Sequence, residues 1–408
     1  MIGYIFAFII LVIWILLLFS RNSHRALCFL IASSTIFYGS FTTVSIDLII
    51  KFLVIFSLFY YYCTKKINLN KIFIIFTFLL LFLVNLVIAD FSSQYTISDN
   101  FTGFVTLFTG LLLSLCEFNK KEKKEILYTL SILPIISIAC GLILSPIGLV
   151  NIIGRGGTAL AGASLSTNLS FFCVISCGAS LLLFSKYHYI KFRYLAYFNY
   201  FLTFLTLTRG GILAATIIIL CDVFPVIKKL LRTPKGMFIF AITIALLILP
   251  MRYVYIEIAE RTFSNGELNT SGRIEAWKYI INMSKNVFLG NGYGYLKTST
   301  DTSIKAFTAP HNEYVHFYFE MGIIGSIVML LILLNIFKIS LLENTRQIKK
   351  YCIFIIFSFF IYSFFDNTIL NFRYWFPFML LIGTIKKDYI KIKKYKIANN
   401  YLLINKNI

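Results

Sequence analysis

The 408-residue chain is 59% hydrophobic and 17% aromatic but only 13% charged, with a mean hydropathy of +0.82. Soluble domains are about 45–50% apolar and about 25% charged, so this composition excludes a cytosolic globular enzyme, and its hydrophobicity excludes intrinsic disorder. The net charge of +21 invites a nucleic-acid reading, but its placement along the chain removes it.

Apolar runs approaching the roughly 20 residues that cross about 30 Å of hydrocarbon recur throughout. They predict spans at Gly3–Phe19, Ala26–Thr43, Leu48–Cys63, Ile72–Ala89, Phe101–Cys116, Ile126–Leu149, Leu165–Phe184, Leu195–Thr208, Ile212–Phe224, Met237–Met251, Val315–Phe337, Cys352–Phe365 and Trp375–Ile385. The expected fold class is all-α: one polytopic helical membrane domain over residues 1–408, with about 12–13 transmembrane helices. The loops then alternate sides. One set, including a basic tail at 386–408, holds 27 of the 38 Lys and Arg; the other set holds 10. Acidic residues lean the opposite way. By the positive-inside rule the basic set is cytoplasmic, so the charge reports topology and no nucleic-acid partner is expected. The N-terminus is then outside and the C-terminus inside. Met1–Phe19 lacks the features of a cleavable signal peptide. The eight cysteines fall in spans or at their cytoplasmic ends, so no disulfide framework is expected.

Most connections are short. Residues 252–311 are the exception, a long external segment of the kind that carries function. Within it, Ile274, Trp277 and Ile281 recur at helical spacing, as do Ile280, Met283 and Val287, opposite Glu275, Lys278, Asn282 and Lys285. This predicts an amphipathic helix at the membrane surface or over a cavity, with Arg273 on the face of Trp277. The turn Gly290-Asn291-Gly292-Tyr293-Gly294 follows, and Ala309-Pro310-His311-Asn312 opens the next span.

Metal-site and nucleophile motifs are missing from the chain, including Asp-x-Asp, His-x-x-x-His, Cys-x-x-Cys and Gly-x-Ser-x-Gly. No metal or cofactor is expected. The arginines of the acidic-leaning loops are more informative. Arg155, Arg209, Arg261 and Arg273 sit where positive-inside bias disfavours them. Arg155 and Arg209 each stand beside a glycine pair, where the backbone can approach a ligand closely. The guanidinium fork suits phosphate oxygens, and several forks converging on one cavity would fit a diphosphate. Arg252 and Arg373 read more simply as side chains snorkelling to lipid headgroups.

Three elements together resemble the O-antigen polymerase and ligase superfamily. Thr206-Leu207-Thr208-Arg209-Gly210-Gly211 is similar to its Ser/Thr-Arg-Gly-Gly element. Ser271-Gly272-Arg273-Ile274-Glu275-Ala276-Trp277, with Phe288-Leu289-Gly290-Asn291-Gly292, resembles its Arg…Trp…Leu-Gly-x-Gly loop. His311-Asn312-Glu313-Tyr314, with Glu320-Met321-Gly322-Ile323-Ile324-Gly325, resembles its His-Asn…Glu-x-Gly segment. Arg155 with Asn168 is similar to an earlier Arg…Asn stretch. The resemblance spans about residues 150–340.

It implies a metal-independent, GT-C-like membrane glycosyltransferase of the bacterial inner membrane. The donor would be a glycan on undecaprenyl diphosphate, used on the periplasmic face. In that reading Arg209 and Arg273 neutralise the leaving diphosphate, which needs charge stabilisation more than protonation. His311 is the base that takes the proton of the attacking hydroxyl, with Glu313 and Glu320 as fallback bases. Arg155, Arg261, Asn312, Glu313 and Trp277 contact diphosphate or substrate. Partners would be the lipid-linked oligosaccharide, membrane lipid and a chain-length regulator. The sequence favours a polymerase of repeat units, through its richness in Ile, Phe, Lys and Asn. A ligase acting on lipid A core sugar is the alternative. A non-catalytic transporter of the same lipid is a third reading, disfavoured because the candidate residues crowd at one face and no two-fold repeat is visible.

Overall fold

The computed structural model describes residues 2–20, 22–36, 46–64, 69–89, 91, 95–154, 157–238, 241–242, 263–264, 267–268, 273–298, 310–341 and 345–385. Helices dominate: α1 (Ile2–Phe19), α2 (Ser23–Ser33), α3 (Ile46–Thr64), α4 (Leu69–Ile88), α5 (Ile97–Leu115), α6 (Lys120–Ser131), α7 (Leu133–Leu144), α8 (Ser166–Tyr187), α9 (Ile190–Leu205) and α10 (Arg209–Leu230) come first. They are followed by α11 (Arg273–Asn282), α12 (Tyr295–Thr298), α13 (Glu313–Leu341), α14 (Arg346–Ser363) and α15 (Phe372–Ile385). Two short antiparallel hairpins complete the described elements, pairing Ile153–Gly154 with Ala159–Leu160 and Phe263–Ser264 with Glu267–Leu268. The protein is an all-α, multi-pass membrane protein.

Helices occupy the positions of the expected spans where these are described; residues 37–43 of Ala26–Thr43, most of Met237–Met251 and the tail at 386–408 lie outside the described residues. Among the described residues, α3, α8, α10 and the Glu313–Lys338 part of α13 are long and apolar enough to cross a membrane unaided. The pair α6 and α7, bent by 48°, makes a fifth. The others fall short for local reasons. α1, α4 and α15 have shorter apolar stretches. Helix α5 carries Asn100, Thr106, Thr109 and Ser114, all turned into the protein, where the hydroxyls bond carbonyls of their own helix and Asn100 bonds Asn85 and Tyr95 in place of water.

The core is organised around α8, which is buried along 89% of its most apolar window, against 39% for α3. It packs against α6, α7, α9, α10, α14 and α15. Its small residues, Ser176, Gly178, Ala179 and Ser180, let those neighbours close in; a Cβ at Gly178 would sit 3.0 Å from Ile355. Helix α15 supplies the other wholly buried wall, with Trp375 donating its indole N–H to Leu107 O at 3.1 Å.

At one end, Arg25 and His24 meet Glu125, and Arg193 on α9, Tyr197 on α9 and Tyr351 on α14 all converge on Asp222 of α10. At the other end, Asn371 bonds Asn168 at 3.0 Å, and Arg373 bonds Asp47 with both carboxylate oxygens at 2.6 and 2.7 Å. That last pair corrects the lipid-snorkelling reading of Arg373. The side chain is 9% exposed and also donates to Ser34 O, so it ties α15 to α3 and the end of α2.

Candidate functional site

Three chain segments meet around residues 365–366, at the end of the bundle where α10, α11 and α13 begin. The first is the start of α10. Leu207 closes the turn from α9 in the left-handed region (φ 50°) although it is a buried leucine, and Arg209 follows as the first helical residue. The glycine pair behind Arg209 serves packing, and this corrects the expectation that it lets a ligand approach. A Cβ at Gly210 would lie 2.6 Å from the Phe365 Cβ, and one at Gly211 only 1.7 Å from Ser170 Oγ.

The second segment is α11, which lies where the amphipathic pattern predicts. Its buried residues are Ala276 and Ile280; Ile280, with the half-buried Met283 just past the helix end, packs against Leu296, Val315 and Phe319, whereas Ile274 and Ile281 remain exposed. Two side chains project toward the site from its first turns. Arg273 donates from Nη1 to Phe365 O at 3.0 Å, and Trp277 donates its indole N–H to Pro310 O at 2.7 Å. Trp277 therefore braces the residue just ahead of His311.

His311 is the third arrival. It too has positive φ, at 48°, in the turn before α13. Backbone outliers of this kind cost about 1–3 kcal/mol and persist where surrounding structure imposes them, often at functional sites. The His311 Nδ1 lies 3.1 Å from Asp366 Oδ1, which also accepts the Asn367 N–H at 2.9 Å. An ionised carboxylate only accepts, so in the neutral ring Nδ1 carries the proton and Nε2 is the acceptor. The imidazole is 43% exposed, open enough to meet a substrate. Asn312 caps α13, its Oδ1 accepting from Tyr314 N and Val315 N at 2.9 and 3.2 Å. Glu313 is 2% exposed, with Oε2 accepting from Ile369 N at 3.0 Å and Oε1 3.0 Å from His316 Nδ1. Arg155 and Arg261 lie outside the described residues.

Asp366 is the residue that the sequence reading missed. Its signal was faint: it is the one acid in a short loop otherwise charged only by Arg373. Nothing along the chain links it to a histidine 55 positions earlier.

The remaining motifs build a joint. Helix α13 breaks at Gly322 (φ 66°, ψ −174°), which frees backbone groups on both sides. The segment 287–292 satisfies them. Ile323 and Ile324 donate to the carbonyls of Val287 and Phe288 at 3.0 and 3.1 Å, while the N–H groups of Asn291 and Gly292 donate to Phe319 O and Glu320 O, both at 3.0 Å. The close approach demands glycines, since a Cβ at Gly290 would lie 2.5 Å from Glu320 O and one at Gly322 2.4 Å from Phe288 O. Helix α4 holds the joint from below: Asn85 donates to Glu320 O and accepts from Tyr293 N at 2.9 Å. The Glu320 carboxylate accepts from Gly294 N and Leu296 N at 2.8 and 2.9 Å and is fully buried. Beside the joint, an apolar groove between α13 and α14 runs from Tyr314 and Ile369 past Phe317, Ile327 and Phe360 to Leu333.

Among the described residues, no group of three or more His, Cys, Asp or Glu has a metal-holding arrangement. No curated protein matches the sequence. Residues 194–330, from α9 through the middle of α13, match a family model described as O-antigen ligase. That segment contains Arg209, Arg273 and His311, and its match supports the likeness of this chain to the O-antigen polymerase and ligase superfamily.

Proposed function

We propose that this chain transfers a glycan from undecaprenyl diphosphate to a sugar hydroxyl on the outer face of the bacterial inner membrane. The acceptor in this reading is the next lipid-linked repeat unit, so the product is a lengthened surface polysaccharide. The observation that carries it is the convergence of Arg273, His311 and the start of α10 on Phe365 and Asp366. A basic nitrogen and the Arg273 guanidinium then meet one two-residue stretch, against which the helix begun by Arg209 packs, and this supports transfer from a diphosphate.

In the reaction the acceptor oxygen attacks the anomeric carbon, and the bond from that carbon to the diphosphate oxygen breaks. His311 Nε2 takes the hydroxyl proton, with Asp366 holding the ring and balancing the imidazolium that forms. Arg209 and Arg273, with Arg155 and Arg261 as second choices, offset the charge growing on the leaving diphosphate. The apolar groove between α13 and α14 suits the carrier's prenyl chain. Asn312, Glu313 and Trp277 serve this reading by holding the His311 turn in place.

The description of the matching family favours a second reading, transfer of the finished glycan to lipid A core sugar. Deleting the gene separates the two. Loss of a polymerase leaves lipopolysaccharide carrying a single repeat, and loss of a ligase strands long polymer on the carrier. Purified protein supplied with undecaprenyl-diphosphate-linked repeat units tests the chemistry. Arg273→Ala and His311→Ala should each abolish most turnover; full activity in both refutes the site.

A further inference from the structure

The proposed chemistry leaves a second histidine unused. His316 is 1% exposed and lies on the inner face of α13 between Glu313 and Glu320, themselves 2% and 0% exposed. Its Nδ1 is 3.0 Å from Glu313 Oε1, and its Nε2 is 2.8 Å from Glu320 Oε2. The second contact is out of line for a hydrogen bond and is an ion pair. Both ring nitrogens thus face carboxylate oxygens, which only a doubly protonated imidazolium satisfies at once. One cation between two anions leaves the cluster with a single net negative charge, held by backbone N–H donors.

Those donors come from two separate places. Glu320 holds Gly294 and Leu296, next to the segment that fills the break in α13. Glu313 holds Ile369, three residues from Asp366 and in the same loop as the carbonyl that receives Arg273. Resting on the proposed transferase reading, we infer that His316 is a positioning residue: it clamps the 290–296 and 365–369 segments to α13 and so sets His311 against Asp366.

Removing the cation alone leaves two buried carboxylates facing each other, and that arrangement is strongly unfavourable. His316→Gln therefore tests the clamp, and the double variant His316→Gln with Glu313→Gln restores its net charge. The new amide oxygen at position 313 still accepts from Ile369 N and its NH2 faces the amide oxygen at position 316, while Glu320 keeps both oxygens for Gly294 and Leu296. Hydrogen–deuterium exchange on full-length protein in nanodiscs reads the clamp without reference to activity. In His316→Gln, peptides covering 287–298 and 364–371 should lose protection together, and the double variant should regain it. With undecaprenyl-diphosphate-linked repeat units as probe, the single variant should lose at least tenfold in kcat with donor KM within about twofold, and the double variant should recover most of the loss. Unchanged exchange in the single variant overturns the clamp. Lost protection with unchanged kcat per folded molecule overturns the positioning role and leaves the transferase reading intact. Should the wild-type protein show no turnover of the probe, the transferase reading falls and the positioning role falls with it, while the exchange data judge the clamp separately.

Discussion

Replacing Asp366 by Asn isolates the part of the site that the tertiary structure revealed. The substitution keeps the shape and the acceptor oxygen that binds the Asn367 N–H, but removes the charge 3.1 Å from His311 Nδ1. General base catalysis is worth typically 10²–10⁴-fold. Because the imidazole is 43% exposed, water screens the carboxylate and the loss belongs at the lower end, about 10²-fold in kcat or about 2.7 kcal/mol of barrier. Donor KM should stay within a few-fold, since Asp366 acts through the histidine. The decisive assay is a double-mutant cycle on purified protein: Asp366→Asn on top of His311→Ala should add almost nothing, as expected of residues that work as one unit. Additive losses, or an Asp366→Asn enzyme within threefold of wild type, would refute the dyad.

Gly322→Ala should cost about 3 kcal/mol or more. Its φ and ψ belong to a region open almost only to glycine, and the new Cβ would lie 2.4 Å from Phe288 O; a thermal melt unchanged from wild type would contradict the joint. Arg373→Met should lower stability by about 2–3 kcal/mol, less than a wholly buried pair would lose because the Asp47 side chain is 33% exposed, and adding Asp47→Asn should return part of it. Trp277→Phe removes the indole donor to Pro310 O while keeping the ring; it should lower kcat several-fold and stability by about 1 kcal/mol, and no change in either would deny the brace.

Much of the fold was legible because hydropathy is summed along the chain. The runs that became α3, α8 and α10 needed no knowledge of their neighbours. Helix α5, expected from the run Phe101–Cys116, was legible despite its composition. Its polar residues lower the local average, yet in the bundle they are buried; Asn100, for example, donates to Asn85 and Tyr95. The amphipathic helix was anticipated, but its buried stripe is rotated toward Ala276 and Ile280, because α13 supplies the surface it covers. The glycine-rich motifs were visible as punctuation, and the pair after Arg209 was misjudged in purpose. Gly210 and Gly211 make room for Phe365 and Ser170, and Gly290 and Gly322 make room for each other's backbone.

Composition and local pattern therefore determined that this chain is helical, lives in a membrane, and concentrates its unusual arginines and a histidine in one class of loop. Those properties depend on neighbours in sequence and on the free energy of moving short segments out of water. Which acid serves His311, which helices grip the break in α13, and whether Arg373 meets lipid or Asp47 depended on contacts across tens to hundreds of residues. Such pairings exist only once helices distant in sequence pack side by side, because a hydrogen bond is decided within about 3 Å and no periodicity along the chain encodes that distance.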